Sequence, residues 1–132
     1  MDPRKTVLIV EDDMATSLIL NIWLRGHFIV LLACDGEDAL TVIEKEMKTG
    51  RQIDLFFFDI NLPYPWSGLS LKKAITERWP ALNSRPFLAE TAFAMPQNRE
   101  EIMKAGFSEC LTKPLNRAWV VEMIRKYLYN TD

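Results

Sequence analysis

The sequence predicts a parallel α/β fold, with one central sheet covered by helices on both faces. Three observations predict it. Short apolar runs alternate with helix-period segments five times along the chain. The segments are separated by breaker signals, among them Asp35-Gly36, Trp79-Pro80 and Gly106. Five strand–helix units in 132 residues leave room for one sheet, and parallel strands need a helical crossover between them.

The elements follow in order. Val7 to Val10 reads as a buried first strand, and Met14, Leu18, Ile19, Ile22 and Trp23 then recur at helical spacing. Phe28 to Ala33 is the second run. Asp35-Gly36 starts a helix carrying Ala39, Leu40 and Ile43. Leu55 to Phe58 is the third strand, followed by a helix through Leu71, Ala74 and Ile75 that Trp79-Pro80 stops. Phe87 to Ala89 gives the fourth strand. Pro96 opens and Gly106 closes the fourth helix. Phe107 to Leu111 is the fifth strand. Pro114 opens the last helix, with Val120, Ile124, Tyr127 and Leu128 facing inward.

Composition bounds the function. The chain suits one compact domain, residues 1–132, with 48% hydrophobic and 26% charged residues. A net charge of -2 gives no basic face for nucleic acid. No apolar run approaches the roughly 20 residues of a membrane span. The start, MDPRKTVLIVEDD, has too short an apolar run for a signal peptide, so the chain reads as cytoplasmic. Cys34 and Cys110 form no ligand spacing. At opposite sheet edges they would stand roughly 19 Å apart, too far for a disulfide. The lone His27 falls in a loop.

The chemistry gathers at the strand ends, where open α/β sheets bind their ligands. Glu11, Asp12 and Asp13 follow the first strand, Asp59 the third, Thr91 the fourth, and Lys113-Pro114 the fifth. If the first and third strands are neighbours, Glu11, Asp12 and Asp59 share one pocket. Two such charges about 5 Å apart repel by roughly 3 kcal/mol at an effective dielectric of about 20. The group is therefore partly protonated or built for a hard cation such as Mg²⁺. A carboxylate beside such an ion can act as a nucleophile and form an aspartyl phosphate. Asp59 would attack, Lys113 would supply fixed positive charge, and Thr91 would donate to a phosphoryl oxygen. Singly, each residue reads equally well as a helix cap, a turn or plain surface. It is the ordered set that points to a site.

These residues resemble the receiver domain of two-component response regulators, over nearly the whole chain. VLIVEDD resembles that family's first strand and acidic pair, DLFFFDINLP its phosphoacceptor strand, and DGEDAL the turn before its second helix. ETAFAMPQNREEIMKAGFSECLTKPL resembles the stretch with its switch hydroxyl and lysine. The resemblance implies a flavodoxin-like doubly wound five-stranded sheet, order 2-1-3-4-5. It makes Asp59 the phosphoacceptor, assisted by Thr91 and Lys113. It puts Mg²⁺ (or Mn²⁺) on Glu11, Asp12, Asp59 and the Asn61 carbonyl, and makes the Lys113-Pro114 bond cis. The implied partners are a histidine kinase or histidine phosphotransfer protein, and a downstream target on the face of the fourth helix, fifth strand and fifth helix. The implied state is a monomer or weak dimer. Catalysis would be confined to the domain's own phosphorylation and dephosphorylation.

Three positions depart from that family's pattern. Cys110 stands three residues before the lysine, where an aromatic ring usually reports the switch. The loop after Asp59, INLPYPWSG, carries one inserted residue, two prolines and Trp66. Phe93, two positions after Thr91, would hinder water and slow hydrolysis. The departures keep a second reading open, a pseudo-receiver that binds proteins constitutively without phosphorylation. Trp119 and Met123, four apart on the last helix, read as an exposed apolar patch or as partly buried packing.

Overall fold

The computed structural model describes residues 2–92 and 95–129. Phe93, expected to govern hydrolysis, lies outside the described residues. The elements are β1 (Thr6–Val10), α1 (Met14–Leu24), β2 (Ile29–Ala33), α2 (Gly36–Lys48), β3 (Leu55–Asp59) and α3 (Gly68–Arg78). A 3₁₀ turn (Pro80–Ser84), β4 (Phe87–Thr91), α4 (Pro96–Lys104), β5 (Glu109–Thr112) and α5 (Arg117–Tyr129) follow. The five strands are parallel, in the order β2-β1-β3-β4-β5. The expected sheet and its order are both present.

Side-chain alternation splits the core in two. Leu8, Val10, Phe56, Phe58, Phe87, Ala89 and Cys110 face one way, against Ala39 and Ile43 of α2, Leu71 and Ile75 of α3, and Ile102 of α4. Val7, Ile9, Leu55, Phe57, Leu88 and Leu111 face the other, against Leu20 and Leu24 of α1 and Val120 and Ile124 of α5. Aromatic contacts fill the first layer. Phe56 stacks on Phe87 at 4.4 Å, and Phe58 and Phe107 meet Phe87 edge-on at 5.7 Å and 6.2 Å.

Two local expectations need correction. On α1, Met14, Leu18, Ile19 and Ile22 are exposed, at 76%, 54%, 46% and 58%, and the buried residues are Leu20 and Leu24. The helix is apolar nearly all round, so periodicity alone does not select the face that packs. Pro114 does not open α5. Its peptide bond with Lys113 is cis, as expected, and the helix begins three residues later at Arg117. Asn116 caps that start, its Oδ1 accepting from the Trp119 amide at 2.9 Å. Trp119 and Met123 are half-buried and pack on the α1/α5 layer. Cys34 follows β2 and Cys110 lies in β5, on opposite edges of the sheet, and both are free thiols.

The inserted loop is pinned. Trp66 packs against the first core layer, and its ring covers Gly36, the first residue of α2. A Cβ at Gly36 would overlap that ring. Gly36→Ala is therefore expected to lower stability by about 1–3 kcal/mol, as overpacking does. Urea denaturation measures it, and in a Trp66→Ala background the same Gly36→Ala change should cost little, because the ring it overlaps is gone.

Candidate functional site

Strand register sets up the site. On the α1/α5 face the alternation that buries Ile9, Phe57, Leu88 and Leu111 continues two residues further to Glu11, Asp59, Glu90 and Lys113. Val10 pairs with Phe58, Asp59 with Glu90, and Glu90 with Leu111. Four adjacent strands thus present three acids and one lysine in a row at the carboxyl edge of the sheet. Backbone hydrogen bonds hold the row beyond the strands. The amide of Glu11 donates to the Ala33 carbonyl at 3.0 Å, Ile60 to Glu90 at 3.0 Å, and Lys113 to Thr91 at 2.9 Å.

Asp59 is buried and fixed from two sides. Its Oδ1 accepts from the Asn61 amide at 2.8 Å, and its Oδ2 accepts from Lys113 Nζ at 3.3 Å. Gly68 at the start of α3 lies so close that a Cβ there would come within 3.0 Å of the Asp59 carbonyl. The Ser67 cap of α3, with its reciprocal Ser70 contact, secures that approach. Glu11 is buried, and its Oε2 accepts from the Asp13 amide at 3.0 Å. Lys113 Nζ also stands 3.5 Å from Glu11 and 3.7 Å from Glu90.

Of the residues expected from sequence, Glu11, Asp59 and Lys113 are in direct contact. Thr91 is buried at the end of β4, beside them in the sheet. Asp12 is exposed and lines a hollow with Glu11, Met14 and Cys34. The Asn61 side chain is exposed, while its amide holds Asp59. Glu90 was not expected. It is wholly buried, and one oxygen from each of Glu11, Asp59 and Glu90 lies within 4.8 Å of the others. The signal was present in LAET, where an acid ends an apolar run just as Asp59 ends LFFFD.

The electrostatics follow from burial. Burial raises the Asp59 carboxyl above its ordinary value and Glu11 adds to this, against the Asn61 amide and Lys113. Burial, with Glu11 alongside, pushes Glu90 up to about 10. Burial works against the Lys113 charge, but Glu90, Asp59 and Glu11 raise the ammonium above its ordinary value. Among the described residues, Oε1 of Glu11 and both oxygens of Glu90 are buried without a hydrogen-bond partner. One ammonium facing three acids leaves room for more positive charge. Hard oxygen donors with orphaned lone pairs fit a cation of the Mg²⁺ or Mn²⁺ kind.

A doubly wound parallel sheet with an acid-and-lysine pocket at its carboxyl edge defines a class of small α/β domains that place a ligand site beyond the strand ends. Residues 7–125 match the response regulator receiver domain, and the chain belongs to that family. It is 32% identical over 126 residues to the transcriptional regulatory protein ZraR of Salmonella typhimurium, covering 95% of this chain and 26% of that protein. It is 30% identical over 131 residues to the aerobic respiration control sensor protein ArcB of Escherichia coli, covering 98% and 16%. The chain thus spans about a quarter or less of each of these two relatives' length. Its fold is shared with the chemotaxis response regulator CheY4 of Vibrio cholerae at a TM-score of 0.83 and 24% identity, covering 95% of this chain and 99% of that one. Receiver domains are signalling modules of two-component systems. They bind Mg²⁺ through an acidic pocket and interact with histidine kinases or phosphotransfer proteins. Among the described residues no helix is long and apolar enough to cross a membrane.

Proposed function

We propose that this receiver accepts a phosphoryl group from a partner histidine onto Asp59, and that the charge so placed switches a protein-binding face. The observation that carries the reading is the fixed Asp59 carboxylate. One oxygen is occupied by the Asn61 amide, and the other faces Lys113 at 3.3 Å. Oδ2 would form the new bond to phosphorus as the bond from phosphorus to the imidazole nitrogen breaks, and the imidazole leaves with that electron pair. Lys113 would stabilise charge on the transferred oxygens, and Thr91 would donate its hydroxyl to one of them. Glu11, Asp12, Asp59 and the Asn61 carbonyl would hold Mg²⁺ or Mn²⁺, which when bound neutralises the phosphoryl oxygens. Water would later release the phosphate, slowly if Phe93 shields it. Phe93→Glu should then shorten the phosphoaspartate lifetime.

The donor protein must bring its histidine to the mouth of this site. The exposed Met14, Leu18 and Ile22 form a stripe down α1 from that mouth. An apolar groove lined by Ile19, Trp23, Lys113, Pro114 and Leu115 runs alongside. Both fit a histidine-bearing helical partner. Leu18→Asp should slow transfer from a phosphorylated histidine protein and leave labelling by acetyl phosphate intact. Output on α4, β5 and α5 would act through Glu109, which meets Arg99 at 3.4 Å and accepts from Tyr127 at 2.8 Å.

Incubation with Mg²⁺ and acetyl phosphate, followed by intact-mass measurement, tests the reading. The wild type should gain one phosphoryl group and Asp59→Asn none. Cys110, buried where a rotating ring is usual, favours a second reading as a constitutive binding module. Absence of labelling in the wild type would select it.

A further inference from the structure

Glu90 is the one charged residue of the row to which phosphoryl transfer assigns no task. Its side chain is 0% exposed, on β4, in register with Asp59 on β3. Among the described residues neither of its oxygens has a hydrogen-bond partner, and Oε1 of Glu11 has none either. Burying a polar group whose oxygens accept no hydrogen bond is costly even when it is neutral, and a leucine would fill the position as Leu88 does two residues earlier on the same face. Among the described residues the cation paired with it is Lys113, which stands at 3.7 Å and lies nearer to Asp59 and Glu11. Both oxygens therefore keep lone pairs free for a ligand. The converging atoms of Glu11, Asp59 and Glu90, within 4.8 Å of one another, mark where it would sit.

We infer that Glu90 is a direct side-chain ligand of the divalent cation, joining the Glu11 and Asp59 carboxylates that converge on it. This rests on the receiver reading above and assigns that site an oxygen donor from β4. A further carboxylate replaces a coordinated water. Mg²⁺ dehydrates reluctantly and is ordinarily held by one or two carboxylates. Glu90 thus sets the site's preference toward cations that shed water more readily, Mn²⁺ among them.

Titration with Mn²⁺ alone, following the free ion by electron paramagnetic resonance, tests this on wild type, Glu90→Gln, Glu90→Leu and Asp59→Asn. Urea denaturation first establishes that each variant is folded. Glu90→Gln and Glu90→Leu should each weaken Mn²⁺ binding by at least about tenfold. In Glu90→Leu the bound ion should also relax water protons faster, because a water takes the missing carboxylate's place. If Glu90→Gln binds Mn²⁺ as tightly as wild type while Asp59→Asn does not, Glu90 is no ligand and the receiver reading stands. If Asp59→Asn also binds unchanged, both fall.

Discussion

Replacement of Lys113 by methionine is expected to slow phosphorylation of Asp59 by acetyl phosphate about 10²–10³-fold, the usual cost of losing one preorganised charge at a reacting oxygen. The ammonium lies 3.3 Å from the accepting carboxylate and is raised toward its charged form by Glu90, Asp59 and Glu11. It also repels any divalent cation bound to those same acids. Lys113→Met should therefore bind Mg²⁺ more tightly than wild type while transferring more slowly. The two effects have opposite signs, which separates this role from a merely structural one. A variant that slowed only because its metal site had collapsed would bind Mg²⁺ weakly, and saturating Mg²⁺ would restore its rate. Rates measured across a Mg²⁺ series decide between the two, and recovery at high Mg²⁺ would remove Lys113 from the transfer step.

The central strands β1, β3 and β4 were legible because each is a short run of mostly apolar residues, as burial on both faces requires. Asp59 and Glu11 were legible because acids follow two such runs while a hydroxyl and a lysine follow the next two, an ordered set that single caps or turns do not explain. Glu90 also follows such a run. In LAET, however, the next residue is a hydroxyl, and Thr91 took the weight that belonged partly to its neighbour. Only the register, Asp59 against Glu90, puts that carboxylate in the row. The inward face of α1 was not legible, because a helix with Met14, Leu18, Ile19 and Ile22 on one side and Leu20 and Leu24 on the other has no polar stripe to orient it. The start of α5 was misplaced for a different reason. Proline suits a first helical position, but a cis Lys113-Pro114 bond serves the loop, and Asn116 caps the helix instead. Nor does the inserted loop announce its anchor. That Trp66 covers Gly36 is a contact between residues thirty apart, outside any local pattern.

Glu90→Gln is expected to make the metal-free protein more stable at pH 7, by on the order of 2–3 kcal/mol. In the unfolded chain Glu90 titrates near its ordinary value of 4.5; in the folded protein burial, with Glu11 alongside, pushes it up to about 10. Between those values the native state holds a proton that the unfolded chain has released. Stability therefore falls as pH rises through this window, at up to about 1.4 kcal/mol per unit from this group. Glu11 on β1 and Asp59 on β3 oppose ionisation of Glu90, while Lys113 after β5 favours it. Glutamine keeps the shape and removes the titration. Urea denaturation of both proteins in chelator should give a gap that closes near pH 4, where Glu90 is protonated folded or unfolded, and widens toward pH 8. Added Mn²⁺ should narrow it, because an ion that draws the ionised carboxylate into its shell stabilises only the wild type in this way. A gap that stays constant from pH 4 to pH 8 would mean that Glu90 ionises in the folded chain as readily as in the unfolded one. The carboxylate row would then carry its full negative charge against a single lysine, and the site would need a cation for its stability as well as for its chemistry.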